Sequence, residues 1–586
     1  MNLRQVLCQL GLLFLVLSAI QVVIALWAGV QWLAGVDAER QAFIALLISA
    51  GIGSLLGLAG WLLNRRFQEW LVGRREALLL VAMTWILGAA LCGVPYFAWA
   101  KITYTAPAPM DTTTAEAAPT ADVLAPPARA ADVPGAWADA GGVVEEVTPI
   151  RTPPDAFSPP EMEPSGADSN GPVAPPALVR GTHPFDSFAS CYFEAMSGLS
   201  TTGATILTEI GTVPRSLLLW RALTHWLGGL GIVVLFVAVL PSLGAGGKKL
   251  FRVESSGVQQ TGVRPHIAET ARMLWLIYVG LTVTQTLLLR MAGMTWFDAV
   301  CHTFSTLATG GFSTLDTSLG GFNSVSINII TMIFMILAGV NFGIYYNLIR
   351  RRFRTVWRDP ELRLYLLLVL VASTVITISI ADHAIVLTTG EVLEPSIVNA
   401  LHHGMFQGVS IHTGTGFCTA DYDRWGFVPH AVLIITMFAG ASAGSTAGGI
   451  KIIRIWIMLR IMVSEIERAF RPNVVRPLKV GGSVIGPELR QGTLAYILGA
   501  ILIFVAGSFL LMVLEHHPDM TYVTSASATA ATFFNVGPGF GLVGPDENYN
   551  WMTPASKTLL SLLMALGRLE LFAIIVLFAP RFWSGD

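Results

Sequence analysis

The strings SGLSTTGAT (197–205), STLATGGFST (305–314), SIHTGTGFCT (410–419) and FFNVGPGFG (533–541) recur along the chain. Each follows a short, mildly apolar segment and precedes an apolar run of membrane-crossing length. With the glycine after Thr or Val as a ruler, the repeat falls at Gly203, Gly310, Gly416 and Gly537, at intervals of 107, 106 and 121 residues. Each unit then reads as span, short helix, glycine-rich turn, span. The short segments, such as 193–199 and 297–307, fall well below the roughly 20 helical residues that a bilayer requires. They fit half-helices that enter and return. One glycine-rich turn is weak evidence, because most membrane-protein glycines serve helix packing. Four in register carry more: non-helical backbone at membrane depth is tolerated only where protein buries it or where it lines a water-filled cavity. Four such turns imply one shared cavity.

Composition places the chain in a bilayer. Of 586 residues, 53% are hydrophobic and 13% charged, and mean hydropathy is +0.62, far from the composition of soluble domains. Ten spans are expected, at 6–30, 42–63, 76–100, 216–240, 271–293, 324–348, 363–384, 428–460, 491–515 and 555–582. The expected fold is an all-α polytopic membrane protein. Two N-terminal helices (1–70) precede four repeats at 71–245, 246–355, 356–475 and 476–586, set around a pseudo-fourfold pore. The first run is long, lacks a clear small-residue cleavage site and is followed by further spans, so a cleaved signal peptide is not expected. Basic clusters fall at Arg65, Arg66, Arg74 and Arg75; at Lys248, Lys249 and Arg252; at Arg350, Arg351, Arg352 and Arg354; and at Arg468, Arg471, Arg476 and Lys479. Such clusters mark the cytoplasmic side. Between them, 181–214, 291–349, 364–423 and, but for Arg490, 480–556 hold no Lys or Arg. The four turns therefore face outward and both termini are cytoplasmic. Residues 101–185 hold 16 of the 31 prolines and neither apolar periodicity nor paired cysteines; a disordered extracytoplasmic insertion is expected there, with a small folded domain as the alternative. The formal charge of −2 argues against a nucleic-acid partner. Cys8, Cys92, Cys191, Cys301 and Cys418 show neither metal-site nor disulfide spacing.

A cation filter replaces the ion's hydration shell with inward carbonyl oxygens from four chain segments. Glycine permits such backbone because it has no Cβ. The turns nominate as K+ ligands Thr201, Thr202 and Gly203; Ala308, Thr309 and Gly310; Gly414, Thr415 and Gly416; and Asn535, Val536 and Gly537. Thr202, Thr309 and Thr415 can add a hydroxyl, whereas Val536 cannot. Half-helices would aim their negative C-terminal ends at the same cavity. A second feature is FAGASAGSTAGGIKIIR (438–454), in which eleven consecutive small residues, 439–449, interrupt the eighth span. The plainer reading is a helix-packing surface. Interrupted helices are common devices of transport proteins, and an unwound gating loop under the third filter segment is expected, built on Gly440, Ser442, Gly444, Ser445, Gly448, Gly449 and Lys451. Residues 440–444 also match G-x-S-x-G, but that nucleophile elbow needs a preceding strand and His and acid partners, and membrane-helix sequence flanks this run. Arg568 and Glu570 sit inside the last span, where charges are costly and usually functional. Residues two apart on a helix do not face each other. Arg568 is thus either an ion-pair partner for another repeat or a pore-lining gate. His302, His402, His403 and His412 lie near the turns without metal-ligand spacing.

SGLSTTGAT, STLATGGFST, NVGPGFG, GASAGSTAGGIK and LGRLELF resemble motifs of the Trk, Ktr and HKT superfamily of cation transporters, most closely the bacterial Trk-type (TrkH) potassium uptake family. The likeness spans nearly the whole chain except 101–185. It implies K+ uptake across the bacterial cytoplasmic (inner) membrane, with filter positions at Thr202-Gly203, Thr309-Gly310, Thr415-Gly416 and Val536-Gly537. It also implies an intramembrane gating loop from Gly440 through Gly449 and a pore arginine at Arg568. A homodimer bound to a cytoplasmic ring of nucleotide-binding regulatory subunits follows from the same likeness. No cofactor is implied in this chain beyond the K+ it binds and moves, and no enzymatic activity. The chain departs from the family pattern in the proline-rich insertion and at Gly414, where Thr or a similar residue is more usual. The competing readings are a Na+-selective or ion-coupled symporter on the same scaffold and an intramembrane hydrolase. Glycine at all four ruler positions favours K+ by family analogy, and the hydrolase lacks a histidine at matching depth.

Overall fold

Lipid offers backbone groups no partner, so apolar runs of this length satisfy their own hydrogen bonds as helices. The structure, a computed structural model of the chain, describes residues 1–65, 73–105, 183–229, 231, 267–472, 477–480 and 483–584. Most of the expected insertion, and the basic residues Arg66, Lys248, Lys249, Arg252 and Arg476, lie outside the described residues. Leu3–Leu33 and Ala38–Asn64 pack along each other as a hairpin. Glycine sets their separation: a Cβ on Gly11 would lie 2.7 Å from the Gly57 oxygen, and one on Gly57 2.8 Å from the Gly11 oxygen. Close backbone approach through small residues is a principal adhesive between helices in lipid.

Among the described residues, six helices are long and apolar enough to cross a membrane: these two, Arg75–Tyr104, Ala271–Met291, Pro360–Ile380 and Pro487–Leu514. The last has a mean hydropathy of 2.8 with only 17% of its apolar window buried, and Leu502, Val505 and Phe509 are exposed along it. Such a surface calls for lipid or another apolar cover. Two bent pairs are long and apolar enough when each is taken together, Val325–Ala338 with Phe342–Ile349 at 95° and Pro554–Arg568 with Phe572–Phe578 at 114°. The straight spans expected at 324–348 and 555–582 are therefore corrected, and the causes are local. At the first bend Asn341 starts a new helix, its side chain accepting from the Gly343 N–H. At the second, Glu570 and Leu571 have φ of 56° and 60°, left-handed backbone through which a right-handed helix cannot continue. The expected span 428–460 divides into Phe427–Phe438 and Ile452–Phe470 around the small-residue run. The span expected at 216–240 is described as Arg215–Gly229.

Between the first and second span of each repeat lies a short helix: Phe188–Leu199, Trp296–Leu307, Ile397–His412 and Tyr522–Phe533. Thr295, Ser396 and Thr521 cap the last three, accepting from the N–H groups of Asp298, Val398 and Thr524. Two-residue ribbons at 385–386 with 392–393 and at 479–480 with 483–484 are the only strand pairs among the described residues. The chain is an all-α polytopic membrane protein with four pore-helix repeats.

Candidate functional site

All four pore helices end alike. The residue after each C-cap is left-handed: Thr201 and Thr309 at φ 55°, Gly414 at 72° and Asn535 at 56°. Their N–H groups fold back onto the carbonyls of Gly198, Thr306, Ile411 and Thr532 at 3.1, 2.9, 3.0 and 3.3 Å. The next N–H groups, of Thr202, Gly310, Thr415 and Val536, reach Ser197, Ser305, Ser410 and Ala531 at 2.9, 2.8, 2.9 and 2.8 Å. This is the Schellman C-cap, which satisfies carbonyls that a helix end leaves orphaned. One residue further, Gly203, Gly311, Gly416 and Gly537 turn left-handed again, at φ 86°, 78°, 78° and 103°.

These bonds fix the register of the repeats, and in the second repeat it departs from the sequence ruler by one residue. Gly310 is equivalent to Thr202, Thr415 and Val536, while Gly311 is the partner of Gly203, Gly416 and Gly537. Ala308, expected among the ligands, is placed at the helix cap, level with Ser200, Thr413 and Phe534 and one residue before the positions of Thr201, Gly414 and Asn535. Hydroxyls before the glycine thus occur only at Thr202 and Thr415, since Thr309 occupies the left-handed position. The departure at Gly414 has a physical reason of its own: glycine adopts that left-handed backbone without the Cβ cost that Thr201, Thr309 and Asn535 carry.

The left-handed glycines close a ring. A Cβ on Gly203 would lie 2.1 Å from the Gly310 oxygen, one on Gly311 2.1 Å from Thr415 O, one on Gly416 2.1 Å from Val536 O, and one on Gly537 2.6 Å from Thr202 O. Each repeat's glycine abuts the next repeat's carbonyl, and the fourth returns to the first. The oxygens of Thr202, Gly310, Thr415 and Val536 therefore form one cycle into which no side chain fits. Outside it lies a cavity of about 120 Å³ whose lining includes Gly203, Gly311, Gly416, Gly537, Asp316 and Asp546. Partial desolvation, reinforced by Asp421, pushes the Asp546 carboxyl up to about 6, against the opposing pull of Arg424. Tyrosine hydroxyls tie the outer limbs, Tyr549 donating to Gly537 O at 2.9 Å and Tyr422 to Gly539 O at 3.0 Å.

Beneath the ring, residues 439–451 are unwound. The neck is closed by Gly440 N–H to Ile450 O at 3.1 Å and Ile450 N–H to Phe438 O at 3.0 Å. Gly444 and Gly449 have φ of 74° and 71°. The broken second span of repeat 2 holds the loop through Ser442 N–H to Gly339 O at 3.1 Å and Phe342 N–H to Gly444 O at 3.0 Å. Ser445 donates to Ser442 O at 2.7 Å, and buried Lys451 to Ala447 O at 2.5 Å. Gly448 sits against the fourth pore helix, where its Cβ would lie 2.3 Å from Phe534 O. Arg568 reaches across from the last span, donating to Thr446 O at 2.6 Å and to Gly228 O and Gly229 O at 2.6 and 2.8 Å. Glu570 takes a different partner, Arg454 at 2.5 Å.

Buried His412 makes no hydrogen bond among the described residues, whereas other histidines near the turns bond their neighbours. His302 and His403 bond the hydroxyls of Ser313 and Thr419, each at 3.0 Å. No group of three His, Cys, Asp or Glu side chains among the described residues could hold a metal ion. Two residues that the motif reading passed over, Glu194 and Arg221, meet at 2.6 Å behind the segment that leaves the ring after Gly203. Their signal was in the sequence, as charges within apolar segments.

Four repeats of span, half-helix and span, with their turns meeting in one cycle, define a pore-loop membrane transport protein. The family model for TrkH, described as a cation transport protein, matches residues 179–585. The Trk system potassium uptake protein TrkH of Salmonella typhimurium is 39% identical over 399 residues, 68% of this chain and 80% of that protein. TrkG of Escherichia coli is 34% identical over 403 residues, 68% of this chain and 79% of that one. The crystal structure of the potassium transporter TrkH from Vibrio parahaemolyticus is similar at a TM-score of 0.74 and 27% identity, covering 100% of both chains. The chain belongs to the TrkH family.

Proposed function

We propose that this chain is the translocating subunit of a Trk-type system, taking up K+ across the bacterial cytoplasmic membrane. The observation that carries the reading is the closed cycle of glycine against carbonyl through all four repeats. A K+ ion entering it exchanges water for the oxygens of Thr202, Gly310, Thr415 and Val536, and the C-terminal ends of four half-helices add negative potential. The remaining filter residues are Thr201, Gly203, Thr309, Gly311, Gly414, Gly416, Asn535 and Gly537. The loop at 439–451 closes the path below the ring, and Arg568, by holding its Thr446 carbonyl, keeps it closed. The relatives are named as Trk system potassium uptake proteins, which supports a part in a multi-component system; within it we propose a homodimer working with cytoplasmic nucleotide-binding subunits, filter outward and termini inward. Their names as uptake proteins also favour transport over the hydrolase reading.

The test is Rb+ uptake into proteoliposomes by the full chain, with the Arg568→Gln protein alongside so that a shut gate does not mask flux. Uptake competed by K+ more strongly than by Na+ is expected. Uptake equal to that of protein-free vesicles in both proteins would overturn the reading. An imposed proton gradient separates passive from coupled flux.

A further inference from the structure

We infer that Glu194 and Arg221 brace the filter: a buried ion pair, ligating no ion itself, sets the spacing of the first two filter limbs and with it the discrimination between K+ and Na+. The inference rests on the filter reading above. Glu194 lies on the first pore helix and is fully buried. One carboxylate oxygen accepts from Arg221 Nε at 2.6 Å and from Thr205 Oγ1 at 2.9 Å; the other accepts from the Ile206 N–H at 2.9 Å. Thr205 and Ile206 form the limb that leaves the ring after Gly203. Arg221, on Arg215–Gly229, is 3% exposed. Its Nη1 donates to Ser313 O at 3.0 Å and its guanidinium lies 3.4 Å over the Phe312 ring. Phe312 and Ser313 form the limb that leaves the ring after Gly311. One planar fork therefore holds both limbs, one directly and one through Glu194.

The other repeats solve the same problem without a carboxylate. Nine residues before each left-handed glycine stand Glu194, His302, Gln407 and Ala528. His302 bonds the Ser313 hydroxyl at 3.0 Å, Gln407 accepts from the Thr419 N–H at 3.2 Å, and Ser527, beside Ala528, accepts from the Phe540 N–H at 2.9 Å. Each of these ties a limb to its own pore helix. The charged version extends across a repeat boundary, and charge-assisted hydrogen bonds are about twice as strong as neutral ones. Arg221 also lines the cavity outside the ring, where an unpaired cation would repel arriving K+; Glu194 cancels that charge at 2.6 Å. Whether selectivity comes from ring size or from the number and field of carbonyl dipoles, it depends on where these limbs hold their oxygens.

Arg221→Lys is the discriminating variant. An ammonium still neutralises Glu194, but it cannot bond Glu194, reach Ser313 O and stack on Phe312 at once, because it lacks the planar fork. Rb+ and Na+ uptake are measured in proteoliposomes of the full chain, with melting temperature from the same preparation. The Rb+ to Na+ ratio should fall about tenfold, the factor equivalent to one charge-assisted hydrogen bond, with melting close to the parent. Glu194→Asp, which keeps the charge and shortens the reach to Ile206, should lower the ratio as well and serves if the lysine variant does not fold. A folded variant that carries both ions at the parent ratio, or loses both equally, would overturn the brace. A parent chain that moves no Rb+ would instead overturn the filter reading beneath it.

Discussion

Gly310 and Gly311 sit side by side, and the structure makes opposite demands of them. At Gly311, φ is 78°, which costs a residue with a Cβ about 1–2 kcal/mol. The new methyl would also lie 2.1 Å from Thr415 O, whereas ordinary contact begins at 3.4 Å, so that carbonyl must retreat by the difference, about 1.3 Å. The obstacle is main chain and part of the ring itself. At Gly310 the backbone is not left-handed, and the methyl would meet a side chain, His225 Nδ1 at 2.3 Å. That ring is buried and stacked on Phe312 with centroids 4.0 Å apart, so it does not swing away freely. Both Gly310→Ala and Gly311→Ala should lower the Rb+ to Na+ uptake ratio, by roughly tenfold for each 1.4 kcal/mol of lost discrimination. Only the first should be rescued by His225→Ala, which removes its obstacle and leaves that of Gly311 in place. The assay is competitive Rb+ and Na+ uptake in proteoliposomes, with melting measured in parallel. A parent-like ratio in Gly311→Ala, or equal rescue of both variants by His225→Ala, would refute the register.

Arg568→Gln removes a fork that reaches Thr446, Gly228 and Gly229 carbonyls, and should raise Rb+ uptake with little change in melting; lower uptake with a loss of roughly 3–5 kcal/mol would assign it a structural role. Deleting residues 444–448 should raise flux and reduce its dependence on a regulatory subunit, and a fall in flux in folded protein would count against a movable plug. Deleting 108–178 should leave uptake largely intact, since proline-rich, weakly apolar sequence adds little to a packed core; loss of flux at normal expression would contradict this. With its carboxyl pushed up to about 6, Asp546 is charged above that pH and neutral below it, so apparent K+ affinity should weaken as external pH falls from 7.5 to 5.5. Asp546→Asn should be weaker at 7.5 and flat across the range, and a parent-like pH profile in that variant would remove Asp546 from the outer mouth.

The turns were legible because two separate requirements fall on one residue type. A left-handed φ and an approach of 2.1 to 2.6 Å to a neighbouring carbonyl both exclude a Cβ, so glycine marks the spot in a bare sequence. The same logic explains the error in repeat 2, where two adjacent glycines meet it equally in a string, and only the fold-back bond from Gly310 to Ser305 O at 2.8 Å separates them. The bends were illegible for the opposite reason. Hydropathy registers how apolar a run is, and Leu571, at φ 60°, is as apolar as any helical leucine. The partner of Glu570 was equally hidden, since Arg454 lies 116 positions away and no local pattern links them.

The proposed gate and the proposed filter meet at Asn535. Its left-handed backbone ends the fourth pore helix, while its amide donates to Thr202 Oγ1 at 2.9 Å and to Met564 O at 3.1 Å. Met564 lies one helical turn before Arg568, whose fork holds the loop. From below, a Cβ on Gly448 would lie 2.7 Å from the Asn535 Cβ, so the loop backbone touches the residue that joins the fourth limb to the first. No flexible side chain intervenes to absorb movement. If the loop withdraws, Asn535 loses its floor while keeping its bonds to the ring and to the arginine helix, and the carbonyl of the adjoining Val536 is the ring member best placed to respond. A loop position that alters how tightly the ring binds K+ must, by linkage, itself be biased by K+ in the ring to the same degree.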